Sequence, residues 1–207
     1  QTGRAVGLYV ETKHPSYFAR DGRTLQGQPI ARDLTVELLK VLAPWQQHNQ
    51  QPVFIQSFEI SNLVWLRQQG LRQYQVNAKL IQLIGDISGK QPAESIDFAV
   101  PADIQQRGMA ALQGLNYPPA WQSKANQLDY SHLVTMDGLA LVSQYADGIG
   151  PWKDQWFRAQ QGRLQAMQSP TVLSAKGLML HPYTYRAESV FLPAGISDFT
   201  NELTAVF

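Results

Sequence analysis

The segment Tyr9-Val-Glu-Thr-Lys13 carries the side chains whose chemistry is easiest to name. In an extended strand, side chains alternate between faces, so Tyr9, Glu11 and Lys13 share one face and Leu8, Val10 and Thr12 the other. A carboxylate at a strand end can bind a hard divalent cation through oxygen. An ammonium beside it can hold a phosphate oxygen and offset charge that develops during displacement at phosphorus. The alternative for this pair is a salt bridge on a rim, and Glu-x-Lys alone does not decide between them. In Phe54-Ile-Gln-Ser-Phe58, Gln56 or Ser57 faces the same end, and Ser57 could instead cap the helix that Glu59 opens. His181-Pro-Tyr-Thr-Tyr-Arg186 delivers an imidazole, a phenol and a guanidinium in quick succession. Tyr183 and Arg186 are the substrate-contact candidates there, and Arg186 suits a bidentate grip on an anion. The glycines of Tyr145-Ala-Asp-Gly-Ile-Gly-Pro151 suggest close backbone approach, with Asp147 in a structural role.

The elements that must position these groups follow from the apolar pattern. Strands are predicted over Val6–Thr12, Val53–Ser57, Lys79–Ile84, Ala146–Gly150 and Leu178–His181. Ile30, Leu34, Leu38, Val41 and Leu42 recur at helical spacing, which predicts an amphipathic helix stopping near Pro44. Ser61–Gln69 reads as a helix closed by Gly70 as its C-terminal cap. Residues 85–131 are rich in Gly, Pro, Gln and Ser. They read as an insertion with one helix around Asp103–Leu112, partly covering the mouth of the site. Further helices are predicted over Gly138–Gln144, Lys153–Met167 (interrupted by Gly162), Thr171–Lys176 and Asp198–Phe207. Strand-then-helix repeats four or five times, which implies a parallel sheet. No G-x-G-x-x-G or G-x-x-x-x-G-K is present, so an open nucleotide-binding sheet is disfavoured. The expected fold is α/β, a (β/α)8 TIM barrel with residues 1–207 as one domain. Four or five units cannot close a ring of eight, so the barrel is expected to be incomplete in this chain.

Composition removes several function classes. The 207 residues include no cysteine, which excludes disulfides, thiolate nucleophiles and Cys-ligated metal sites. Seventeen basic and 16 acidic residues give a net charge of +1 with no run of like charge, which argues against a nucleic-acid groove. No stretch approaches the roughly 20 apolar residues of a membrane span. The start, Gln1-Thr2-Gly3-Arg4, lacks an initiating Met and a leader pattern, and reads as a mature, processed or truncated chain.

Taken in order, Glu11-Thr-Lys-His-Pro15, Ile55-Gln-Ser-Phe58, Ile81-Gln-Leu-Ile84, Tyr145-Ala-Asp-Gly-Ile-Gly-Pro151 and His181-Pro-Tyr-Thr-Tyr-Arg186 resemble the glycerophosphodiester phosphodiesterases. The likeness is greatest to their secreted and periplasmic branch, covers nearly the whole chain and is weakest across Ser88–Leu128. It implies a TIM barrel that splits a small-molecule glycerophosphodiester into an alcohol and glycerol 3-phosphate, in the periplasm or outside the cell. It also implies a divalent cation at the barrel mouth, calcium first and magnesium as the alternative. Glu11 would be one ligand and Lys13 the phosphate contact, with Gln56, Tyr183 and Arg186 beside them. Two histidines act as acid and base in the family.

The family's His-Arg-Gly segment, Glu-x-Asp pair and second catalytic histidine precede the region where this chain begins. Its closing Thr-Asp-x-Pro strand would follow Phe207. His14, His48, His132 and His181 do not occupy the catalytic positions, so no catalytic residue is assigned. One carboxylate of an expected three makes no tight cation site, and these residues alone are expected to be inactive. A competing reading is a family member that binds a phosphodiester or polyol without cleaving it. A serine hydrolase using Ser57 and His181 lacks the G-x-S-x-G turn.

Overall fold

Short apolar runs with β-branched residues form strands β1 (Leu8–Glu11), β2 (Val53–Ser57), β3 (Lys79–Ile84) and β4 (Gly148–Pro151). Seen in a computed structural model, the chain is described over residues 5–88, 101–160, 163–166, 173, 176–193 and 195–206. With β7 (Met179–Leu180), these strands make a five-stranded sheet of order β1-β2-β3-β4-β7, every pairing parallel. Parallel neighbours need crossovers, and helices supply them. The face of the sheet turned to those helices carries Val53, Ile55, Leu80 and Ile149, all buried in one core. The result is an α/β sheet compatible with part of a TIM barrel, as the repeat of strand and helix implies.

The register adds a quantitative point. Met179 lies in one row with Gly148, Ile81, Gln56 and Glu11. His181 is two residues further on, so its row partner on β1 is Lys13. Yet the ring of His181 touches Tyr9, with Tyr9 Oη 2.7 Å from His181 Nδ1. First and last strands therefore meet across a strongly curled concave face. The offset from Lys13 to Tyr9 is four residues over four strand steps. One residue per strand is the stagger of an eight-stranded barrel of shear 8. Gly148 and Gly150 leave the room for this curl. A Cβ on Gly148 would sit 2.7 Å from Met179 O, and one on Gly150 2.9 Å from Leu83 Cδ2.

Helix α1 (Leu34–His48) starts at Asp33, whose carboxylate accepts from the backbone N–H of Thr35 and Val36, both at 3.0 Å. It does not stop at Pro44, which lies inside it. Trp45 packs on the core one residue later, and this tertiary contact outweighs the hydrogen bond that proline removes. Helix α2 (Ile60–Trp65) runs on through a π-turn (Leu66–Gly70) and a last turn (Leu71–Gln73). Gly70 is therefore no cap. It is buried in helical conformation because the Trp65 ring lies against it, leaving 2.6 Å for any Cβ.

Within the insertion, α3 (Ala102–Arg107) is followed by 3-10 turns at Gly108–Leu112 and Pro119–Gln127. Ile104, Leu112, Trp121 and Leu128 belong to the same core as the sheet. Next come α4 (Tyr130–Leu133) and α5 (Met136–Val142). The predicted helix over Lys153–Met167 is instead one turn, α6 (Lys153–Trp156), and two antiparallel strands, β5 (Phe157–Gln160) and β6 (Arg163–Ala166). The segment carries no continuous apolar stripe at helical spacing, and Gly162 costs a helix about 1 kcal/mol, so cross-strand pairing prevails. Of the helix predicted at Thr171–Lys176, only Leu173 and Lys176 fall within the described residues. The strand predicted at Leu178–His181 shortens to two residues. Backbone bonds from His181 N to Ile149 O (2.8 Å) and from Tyr183 N to Pro151 O (3.0 Å) nevertheless extend its alignment. The last helix is α7 (Phe199–Val206). No helix among the described residues is long and apolar enough to cross a membrane.

Candidate functional site

Alternation in β1 is locked by its outward-facing end. Thr12 is buried and donates to Asn62 Oδ1 (2.9 Å), while its backbone N–H donates to Gln56 O (3.0 Å) and its carbonyl accepts from Ser57 Oγ (3.2 Å). With Thr12 committed to α2, Glu11 and Lys13 must project onto the concave face, at the end of the sheet where barrel enzymes place their sites. Ser57 also accepts from the Glu59 N–H (3.2 Å), closing a buried turn ahead of α2; the helix's N-cap is Glu59, so Ser57 does not cap it as the sequence suggested.

Lys13 Nζ donates to Glu11 Oε1 at 3.0 Å, with the lysine side chain 69% exposed and the glutamate 20%. The bond uses one of three ammonium hydrogens, and the others face outward. Gln56 sits beside Glu11 in the register, half-buried. Tyr183 donates from its hydroxyl to Ile84 O (2.9 Å) and meets the Phe58 ring edge-on at 6.0 Å. Burial, and then the charge of Glu11, push its pKa far above the usual phenol value, so it stays a neutral donor. His181 packs against the stacked rings of Tyr9 and Phe54, at 5.6 and 5.3 Å, and burial lowers its pKa, which keeps the imidazole neutral at pH 7.

Glu11, Lys13, Gln56 and Tyr183 thus gather on one face. Arg186 does not join them. It pairs with Glu188, stacks 4.1 Å from the Phe191 ring centre and lines a separate cleft with Phe157 and Thr184. Asp147 is structural as expected: it accepts from Leu80 N (2.8 Å) and pairs with Arg67 and Lys79.

Three groups carry no motif and were not singled out by sequence. Glu59, buried, accepts from Ser16 N (3.1 Å) and Ser16 Oγ, and burial raises its pKa. Asp103 is fully buried, and burial lifts its pKa to about 6. Lys153 and Glu202 form a buried pair at 2.5 Å, with Lys153 also donating to Phe191 O (2.8 Å). Glu59, Asp103 and Lys153 all stand at helix starts, where a charged residue is ordinary, so sequence offers no specific signal.

Among the described residues no group of three or more His, Asp or Glu could hold a metal ion. Glu11 alone, already paired with Lys13, does not fit a calcium cage of six to eight oxygens.

No family model matches the chain. Curated proteins do, three of them as follows. A glycerophosphodiester phosphodiesterase of Treponema pallidum (strain Nichols) is 26% identical over 194 residues, 91% of this chain and 45% of that protein. One of Arabidopsis thaliana is 27% identical over 201 residues, 91% of this chain and 42% of its own length. One of Haemophilus influenzae is 26% identical over 201 residues, covering 95% of this chain and 46% of that protein. The chain is thus similar to glycerophosphodiester phosphodiesterases over more than nine-tenths of its length, at 26–27% identity. It spans a little under half the length of these relatives. The curled parallel sheet puts Glu11 and Lys13 at the end where the strands' carboxyl termini converge.

Proposed function

We propose that this protein acts on glycerophosphodiesters, releasing an alcohol and glycerol 3-phosphate. The observation that carries the reading is the Lys13 ammonium, largely exposed yet held on Glu11 at the open end of the concave face. There it can bind a phosphate oxygen and offset charge gathering on phosphorus. Glu11 orients Lys13, and Gln56 adds a polar group beside them. Tyr183, its hydroxyl spent on Ile84 O, contributes a fixed wall. Arg186 enters this reading only by exchanging Glu188 for a substrate anion. The relatives' names and the order of the motifs support the substrate class.

A divalent cation, calcium before magnesium, belongs to the same proposal, with Glu11 as one oxygen ligand. The other ligands are not among the described residues, and no chemical step is assigned to the ion here. With no histidine of this chain in a catalytic position of the family it resembles, residues 1–207 alone are expected to be inactive. A periplasmic or secreted location rests on the resemblance alone. No histidine of this chain is assigned an acid–base role.

The test is Lys13→Met in the intact protein, assayed on glycerophosphocholine with calcium. The expected loss in kcat/KM is at least 100-fold, with an unchanged melting temperature because Lys13 is exposed. Wild-type activity in that variant overturns the assignment. Wild-type protein that binds the diester through Lys13 but never cleaves it favours the alternative, a non-catalytic binder.

A further inference from the structure

The insertion helix α3 reaches the proposed site at its first residue. Ala102 lines a small cleft of about 70 Å3 together with Glu11, Lys13, His14, Phe58 and Glu59. Such a space admits only a few non-hydrogen atoms. The cleft opens beside Lys13, so a phosphate held there would direct one of its ester arms into it.

Two side-chain ties fix α3 in this position, and a ring contact follows on the same side. The Asp103 carboxylate accepts from Ser61 N (2.6 Å) at the start of α2 and from Ile104 N (2.9 Å). Arg20, on the loop after β1, donates to Gln106 Oε1 (2.7 Å). Phe58 stands edge-on between Tyr130 (6.1 Å), which follows the insertion, and Tyr183 (6.0 Å) of the site. The wall is therefore set by α3 but anchored to Arg20, a few residues beyond Lys13, and to Ser61 at the start of α2. A wall anchored on several sides, with an alanine facing the space, limits size more than it supplies binding energy.

We infer that Ala102 is a specificity-determining residue, limiting the size of the alcohol arm that fits beside the phosphate. The inference rests on the phosphodiester reading above and goes beyond it. A methylene more or less in such a pocket changes discrimination by tens of fold. Ala102→Gly enlarges the space and Ala102→Leu fills it, and neither touches the anchor at Asp103.

In the intact protein, KM is measured for glycerophosphoethanolamine and glycerophosphoinositol, and Ki for inorganic phosphate as competitor. Neither constant depends on how much of a variant folds. Ala102→Leu is expected to raise KM for the ethanolamine diester about tenfold or more, with the phosphate Ki unchanged within twofold. Ala102→Gly is expected to lower KM for the inositol diester relative to the ethanolamine diester at least threefold. KM values unmoved in both variants, or a phosphate Ki that rises in step with KM, overturn the inference. Wild-type protein inert on both diesters and blind to phosphate overturns the phosphodiester reading itself, and the inference with it.

Discussion

Replacing Asp103 by Asn removes a carboxylate that the fold buries completely, and its effect on stability has a calculable pH dependence. Burial, with the negative charge of Glu59 adding to it, raises the Asp103 pKa from 3.8 to about 6, against backbone hydrogen bonds from Ser61 and Ile104 that pull it down. Because the folded value lies above the unfolded one, the folded state binds the proton more tightly. The associated stability is fully present below pH 3.8 and is lost as pH rises through about 6. At 1.36 kcal/mol per unit, the whole change is about 3 kcal/mol, of which about 2 kcal/mol falls between roughly pH 4.5 and 7.5. Asparagine keeps one acceptor but turns an NH2 toward a backbone donor, a cost of about 1–3 kcal/mol that does not vary with pH. Urea unfolding of both proteins across that range isolates the effect, since other titrating groups cancel in the difference. The wild type is expected to lose about 2 kcal/mol relative to Asp103→Asn on going from low to high pH. A difference that stays flat within about 0.5 kcal/mol would refute a desolvated carboxylate at this position.

Two further perturbations test the packing. Lys153→Met leaves the Glu202 carboxylate buried without its ammonium and should cost about 3–5 kcal/mol in thermal unfolding. Adding Glu202→Leu should recover most of the loss, and a single variant costing under about 1 kcal/mol would show that the pair does not hold α7. Gly70→Ala should destabilise by about 1–3 kcal/mol because of the Trp65 ring, although helix propensity alone forecasts a gain of about 1 kcal/mol. A rise in melting temperature would mean that Trp65 swings aside freely.

The parts of the fold visible in the sequence were those set by local pattern. Val53–Ser57 and Lys79–Ile84 appear with the bounds their apolar runs predict, because neighbouring strands and helices reward the same alternation. What escaped was set by contacts distant in the chain. Pro44 stays helical through the packing around Trp45, and Gly70 does so under Trp65. At the site, the alternation of Glu11 and Lys13 was legible, because a two-residue period needs no partner to be read. The direction of Arg186 was not, because Glu188 and Phe191 compete for it. Asp103 and the Lys153–Glu202 pair were hidden because their meaning lies in burial, which residue type does not announce.

The path from Ile84 to Gly148 runs through about sixty residues before the chain returns to pair beside β3. Closing so long an excursion costs only about 1 kcal/mol more than closing the short one from Ser57 to Lys79, since the entropic penalty grows with the logarithm of length. Exposed stretches of that path can therefore vary in length at little entropic cost, while Ile104, Leu112, Trp121 and Leu128, which share the core of the sheet, are held in place. The phosphate contact proposed at Lys13 and the size limit proposed at Ala102 thus sit on different parts of the chain, and variation outside the core residues can reach the second without disturbing the first.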